Sequence, residues 1–321
     1  MLGINHFQEI AGSEILVLEF AEFFSSLNID TTICANFIGN PMLQIAARSN
    51  INVCLASQDI NALDFDLVIS INHIGPILDY TRSKSNAFSA RFVFLHVDLN
   101  FCLSQPGLVC EPLLADEVWL HSNEAYDHFS TYSLPLEKLD IFYNAVPHRF
   151  WVTRPYCRSN ISDVTIISNY IPNEVLELIE ILKLNNIGVV HYGKNSNNYG
   201  RIGPKAILNA DVVISIGKTV QYCLASRTPI FVYDHFAGPS YLNDENFANA
   251  CYHNFSGRCS PMPREASKLF HELIDGYLPA VKFSRDITDQ KLAKFKLRPR
   301  LLSLLGVGCR MIGFHNEAIL C

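Results

Sequence analysis

Short apolar runs with the look of buried strands alternate with helix-spaced segments along most of this chain. That alternation confines it to an α/β fold built on largely parallel sheet. In the first half the runs are LGINHF, IDTTICA, INVCLA, DLVISI, RFVFLHV, EVWLHS and LDIFYN, separated by helical patterns such as SEILVLEFAEFFSSL and NEAYDHFSTYS. The segment PHRFWVTRPYCRSNIS breaks the rhythm with prolines and polar residues and reads as a linker. The alternation then restarts: DVTIIS, helix PNEVLELIEILKL, NIGVVHY, the polar loop GKNSNNYGRIG, helix PKAILNA, DVVISI, helix KTVQYCLAS and TPIFVYD. In the first of these helices Val175, Leu176, Ile179 and Leu182 recur at helical spacing, and Pro172 suits the first turn. Two such halves in series place strand ends and helix N-termini on both sides of an expected ligand cleft. Beyond residue 240 the pattern is helical (REASKLFHELIDGYL, then DQKLAKFKLRPRLLSLL), and these helices either close the second half or cross back onto the first. The expected division is a first domain over residues 1–150, a second over 151–285 and a helical segment over 286–321.

With 321 residues, 49% hydrophobic and 17% charged, the chain has material for two cores. A net charge of -6 and the lack of a Lys/Arg cluster argue against a nucleic-acid partner. The ten cysteines are scattered and form no C-x-x-C pair; Cys34, Cys54 and Cys223 sit inside apolar runs as small hydrophobes. MLGINHFQEIAGSE has no leader pattern and no apolar run is long enough to span a bilayer, so a reduced, cytoplasmic protein is expected. The basic, amphipathic stretch DQKLAKFKLRPRLL leaves open a peripheral contact with the inner face of a membrane, against a helix packed on the first domain. No metal is expected: none of the eleven histidines pairs at i, i+4 around a glutamate, and Asp64-Phe65-Asp66 precedes a buried strand and reads as a turn.

Gly217-Lys218-Thr219 closes the apolar run DVVISI and opens a helix. A nucleoside-triphosphate P-loop is excluded, because the glycine it needs five residues earlier is Val212. Two readings remain. Either the first helical amides face a ligand at the strand's carboxyl end, or Gly217 permits a tight turn and Lys218 is solvated.

Four stretches, in order, cover most of residues 1 to 240. GSEILVLEFAEFF is a glycine loop entering a buried helix, and RFVFLHVD is a strand ending in histidine. ADEVWLHSNEAYDHF is followed by IFYNAVPHRFW, and GKTVQYCLASRTPIFV comes last. Their order and spacing resemble the GT-B glycosyltransferases, nucleotide-sugar-dependent enzymes with two Rossmann-like domains facing across a cleft. The chain departs from that pattern at three places. Gln221 stands where retaining members carry an acidic residue for the donor ribose, Ser168 and Asn169 stand where many supply Arg and Lys, and Asn144-Ala145 replaces Asn-Gly. The resemblance is to a divergent branch, of the kind that acts in bacterial surface-polysaccharide assembly. It implies transfer of a sugar from a nucleotide-sugar donor to a glycan or lipid-linked acceptor, without cofactor or metal.

Such a transfer develops negative charge on the leaving diphosphate, which preorganised donors must stabilise. Gly217, Lys218 and Thr219 are the phosphate candidates, with Gln221 one turn further, suited to ribose or base. Ser168 and Asn169 can donate to phosphate or sugar, or cap a helix. Asp234 and His235 end TPIFVYD ahead of a Gly-Pro loop and contact the donor or cap the sheet. Arg258 in NFSGR is a further diphosphate candidate, whereas Arg201 and Lys205 are expected in solvent. On the opposite wall Gly12 and Ser13 let backbone approach sugar or phosphate, with Asn144 in the same sugar or acceptor loop group. Glu14 serves as base or hydroxyl ligand, or as an ordinary first-turn carboxylate. The resemblance gives a histidine at the position of His96 a contact with the transferred sugar. As base, His96 would take the acceptor's proton, with Asp98 beside it; a hydrogen-bonded strand-end histidine is the alternative. Retaining and inverting routes both stay open. Two other functions fit the departures: a non-catalytic GT-B-like binding scaffold and a GT-B-fold sugar-nucleotide epimerase.

Overall fold

The computed structural model describes residues 1–57, 60–71, 74–81, 90–99, 110–132 and 136–312. Its first sheet comprises β1 (Leu2–Phe7), β2 (Thr32–Ile38), β3 (Asn52–Leu55), β4 (Leu67–Ile71), β5 (Arg91–His96), β6 (Glu117–Leu120) and β7 (Leu139–Ile141). These strands are parallel throughout, in the order β3-β2-β1-β4-β5-β6-β7. The second sheet comprises β8 (Asp163–Ile167), β9 (Gly188–Tyr192), β10 (Val212–Ser215), β11 (Ile230–Asp234) and β12 (Ala237–Tyr241), in the order β12-β11-β10-β8-β9. Only β12 runs antiparallel. The helices are α1 (Gly12–Ser26), α2 (Met42–Arg48), α3 (Glu111–Leu114), α4 (Asn123–Phe129), α5 (Asn173–Leu184), α6 (Pro204–Leu208), α7 (Lys218–Ala225), α8 (Phe247–Tyr252), α9 (Ala266–Asp275), α10 (Tyr277–Asp286), α11 (Asp289–Leu292) and α12 (Leu297–Ile312).

Every apolar run marked in the sequence forms a strand. The central strands read as unbroken apolar runs because helices cover both faces of a parallel sheet; all of β10 and β11 is buried. β12 falls instead in the expected Gly-Pro loop. Its sequence AGPSY gives no alternation, Ala237 and Ser240 take positive φ, and an edge strand tolerates its proline. The buried stripe of α5 is Val175, Leu178 and Leu182, while Leu176 is 48% exposed. The expected stripe was therefore rotated: the i, i+3, i+7 positions, not Leu176, face the sheet.

α1 is buried over most of its circumference and shares one core with Leu297, Leu301 and Leu304 of α12. Each leucine so buried contributes about 1.5–3 kcal/mol, enough to hold a helix from the far end of the chain on the first sheet. Leu292 and Phe295 enter a core of the second sheet, so the apolar residues of DQKLAKFKLRPRLL are divided between the two cores. The two crossings between the halves lie side by side, with Val146 N donating to Phe295 O at 2.7 Å and Leu297 N to Val146 O at 3.2 Å. Among the described residues no helix is long and apolar enough to cross a membrane, and the described cysteines are free thiols.

In each sheet the strand order reverses beside the first strand of its half, between β1 and β4 and between β8 and β10. Connections diverge at those points and leave a crevice at the carboxyl ends.

Candidate functional site

The crevices join in one cleft of about 690 Å³, lined from the first sheet by residues after β1 and β5 and from the second by residues after β8, β9, β10 and β11. Gly12, Ser13, Glu14, Asp98 and Asn144 line it on one side. Ser168, Asn169, Gly217, Lys218, Thr219, Asp234 and His235 line it on the other.

At the start of α7, Gly217 adopts φ 55° and ψ -131°, a conformation strained for any residue with a Cβ. Its amide donates to Phe255 O at 3.1 Å. Among the described residues neither the Lys218 nor the Thr219 amide has an acceptor, so two donors at the positive end of the helix open onto the cleft.

The Lys218 ammonium does not join them. It is buried, 2.8 Å from Glu19 Oε2 on α1, donates to Ala145 O at 2.9 Å and lies over the Tyr222 ring. Burial pulls its pKa down against the pull of Glu19. Tyr222 also donates to Glu19 at 2.7 Å, as does Arg149 at 2.8 Å. The expected diphosphate grip by this lysine is thus corrected: a buried carboxylate needs the ammonium more than solvent or the cleft does.

Other expected donors are also committed elsewhere. Ser168 Oγ donates to Tyr170 O and accepts from the Tyr170 amide, closing a turn. Asn169 Nδ2 donates to Ile10 O at 2.8 Å, and its Oδ1 accepts from the Lys194 amide. Gln221 is 1% exposed and lies outside the cleft, donating to Asn254 Oδ1, which also accepts from Asn144 Nδ2 at 3.0 Å. Asn254 reaches the cleft together with Asn144, and nothing in the sequence reading had singled it out. Arg258 also lies outside the cleft, paired with Glu124 of α4 at 2.7 Å. Conversely, Arg201 is not solvated as expected; it lines the cleft and forks onto both oxygens of Glu22, at 2.5 and 2.7 Å. Burial works against the Glu22 carboxylate, but Arg201 and Arg149 outweigh it and hold its pKa low.

His96 is corrected as well. It is fully buried away from the cleft, its Nε2 2.9 Å from Glu111 Oε2 and its ring stacked on Phe129 at 4.4 Å. The chain reaches the cleft just after it, at Val97 and Asp98.

Three acids line the cleft: Asp98, Glu14 and Asp234. Glu14 is 6% exposed and accepts from Ser13 Oγ at 2.7 Å; burial raises its pKa, opposed by that hydrogen bond. Asp234 is 3% exposed and accepts from the Phe236 amide at 2.6 Å, and among the described residues its Oδ2 has no partner; burial raises its pKa too. His235 beside it is exposed, as is Gly12, where an added Cβ would meet nothing within 4 Å. Among the described residues no group of three His, Cys, Asp or Glu side chains is placed to hold a metal, and Asp64 ends a turn ahead of β4.

Solved structures share this architecture end to end. HepE of Anabaena, solved with UDP, has a TM-score of 0.60 at 11% identity over 95% of this chain and 99% of that one. A glycosyltransferase from Rickettsia africae scores 0.55 at 13% identity over 97% of this chain and 98% of its own. A UDP-N-acetylglucosamine 2-epimerase scores 0.51 at 12% identity, covering 98% and 97%. The fold is GT-B. No protein-family profile and no curated protein sequence matches the chain. Within the GT-B frame the α7 turn belongs to the wall built by the second sheet, and Glu14 to the wall built by the first.

Proposed function

We propose that this protein is a glycosyltransferase that moves a sugar from a nucleotide-sugar donor to an acceptor hydroxyl, without a metal. The observation that carries the reading is a single GT-B cleft with the open amides of Lys218 and Thr219 on one wall and the buried Glu14 carboxyl on the other. On this reading the amides and the Thr219 hydroxyl receive the donor diphosphate and stabilise the charge that builds on it as the glycosidic bond breaks. Asp234 Oδ2, buried and without a partner among the described residues, accepts a hydroxyl of the donor. Glu14 takes the proton of the attacking acceptor, and burial suits it to that role by lifting its pKa toward the working range. A base on the acceptor wall favours the inverting route. The UDP bound by HepE makes a uridine nucleotide the first donor to try.

A thermal-melt panel of UDP, GDP, CMP and dTDP with their sugars tests the reading. Ligand at a hundred times its Kd stabilises the folded state by about 2.7 kcal/mol, several degrees in midpoint for a chain of this size. Gly217→Ala, which strains the turn by about 1–3 kcal/mol, should lose the response as well as stability. A chain that answers none of these nucleotides is not a transferase of this kind, and one that epimerises the donor sugar with no acceptor present belongs with the epimerases that share its fold.

A further inference from the structure

We propose that Cys251 and Lys294 are a modification site, where a peroxide converts the thiol to a sulfenic acid and the lysine nitrogen displaces its hydroxyl to leave a sulfenamide cross-link. The pair lies outside the cleft and stands apart from the transferase reading.

Lys294 sits in the turn Ala293–Phe295. Leu292 and Phe295 on either side enter the core of the second sheet and leave the lysine exposed between them. Its ammonium turns back over the rings of Tyr143, Phe295 and Phe247, at 4.5, 5.3 and 5.8 Å from their centroids. Ring faces attract a cation and fix where it stands. Here it stands 3.1 Å from Cys251 Sγ on α8, and among the described residues no carboxylate competes for it. Lys291 in the same stretch is instead tied to Asp244 at 2.7 Å. Atoms held about 3–3.5 Å apart are already in a near-attack arrangement.

Cys251 is 3% exposed, too enclosed for a bulky disulfide partner. It nevertheless lines, with Lys294, Asn123, Phe247 and Tyr252, a second cavity of about 390 Å³ that a molecule as small as a peroxide can enter. Burial raises the thiol's pKa and the Lys294 ammonium opposes it. Cys223, also buried, has burial alone acting on it, so of these two thiols only Cys251 has a cation to favour its reactive form.

In the first step the sulfur attacks one peroxide oxygen, the O–O bond breaks, and water leaves with the thiol's proton as the sulfenic acid forms. Lys294, having lost a proton to solvent, then attacks the sulfur; the S–O bond breaks, an S–N bond forms and a second water leaves. The peroxide has taken two electrons and the pair has lost two hydrogens. The link joins residues 43 positions apart. It ties α8, whose Tyr252 donates to Asp127 of the first half, to the segment that crosses between the halves beside Val146.

Treating the whole chain with hydrogen peroxide, followed by intact mass and peptide mapping, tests the site. The oxidised protein should be lighter by two hydrogens, yield one joined peptide holding Cys251 and Lys294, and return to the parent mass with dithiothreitol. It should also melt higher, since a cross-link restricts the unfolded chain. Lys294→Arg keeps a cation over the rings but offers no amine that can lose its proton, so its Cys251 should pass on to sulfinic acid with no joined peptide. The same dose in concentrated urea should give no joined peptide, because the contact belongs to the fold. Sulfinic acid at Cys251 of the parent without a joined peptide, or an unreacted Cys251, overturns the proposal. So does a joined peptide that forms equally well in urea.

Discussion

Glu14 and Asp234 carry the same burden from opposite walls of the cleft, each a carboxyl whose ionisation burial opposes. A carboxyl raised above its unfolded value stabilises the fold below that unfolded pKa, and the contribution is lost as pH rises through the folded pKa. Glu14→Gln is therefore expected to melt higher than the parent near pH 8, with the gap closing toward pH 4, and to lose transfer. Melts across that range read the first effect and a product assay the second; a variant that melts no higher at the alkaline end contradicts the raised carboxyl. His96 is separated from the site by its burial away from the cleft. Its histidine signal at a strand end was legible, but its partner Glu111 lies on α3, in a stretch that no spacing in the sequence linked to it.

At the scale of elements, α1 and α7 are joined by charge as well as by packing. Glu19 gathers Lys218, Tyr222 and Arg149, while Glu22 holds Arg201. Phe150 from the crossing segment stacks on Tyr222 at 3.9 Å with planes at 3°. Removing one partner of a buried pair strands the other, at a cost of about 3–5 kcal/mol, whereas replacing both by apolar side chains is often neutral. Glu19→Met and Lys218→Met should each lower urea stability on that scale, and the double variant should lose far less than their sum. Strictly additive losses would mean that the two charges are not coupled. The carboxylates on α1 were visible in the sequence as ordinary helical acids; nothing local distinguished Glu19, which faces the other half, from an exposed one.

At the scale of the molecule, the two sheets are bridged on both sides of the cleft. Glu9 meets Lys194 and Ile10 meets both Asn169 and Tyr199 on one side, while Glu124 meets Arg258 and Asp127 meets Tyr252 on the other. These contacts tie the two walls of the cleft to each other. Because amides and a helix terminus supply the charge stabilisation in the proposed reaction, transfer is expected to proceed at the same rate in EDTA. A rate that collapses with chelation and returns with Mg²⁺ or Mn²⁺ would show that an ion carries part of that load.

The sequence by itself determined every described strand but β12, the buried helices α1 and α7, the α/β class and the position of the Gly217 turn. Each follows from periodicity and backbone preference within a dozen residues. It also picked out Glu14, Asp98, Asp234 and Thr219 as neighbours of strand ends, where parallel sheets expose their loops. Where each polar side chain finds its partner was decided only by the tertiary structure. Lys218 turns to Glu19, Gln221 retreats behind Asn254, Arg258 reaches Glu124 and Arg201 comes to the cleft through Glu22. The reason is physical: a buried charge or amide must be matched, and the match comes from whichever residue the fold brings within about 3 Å, however distant in the chain.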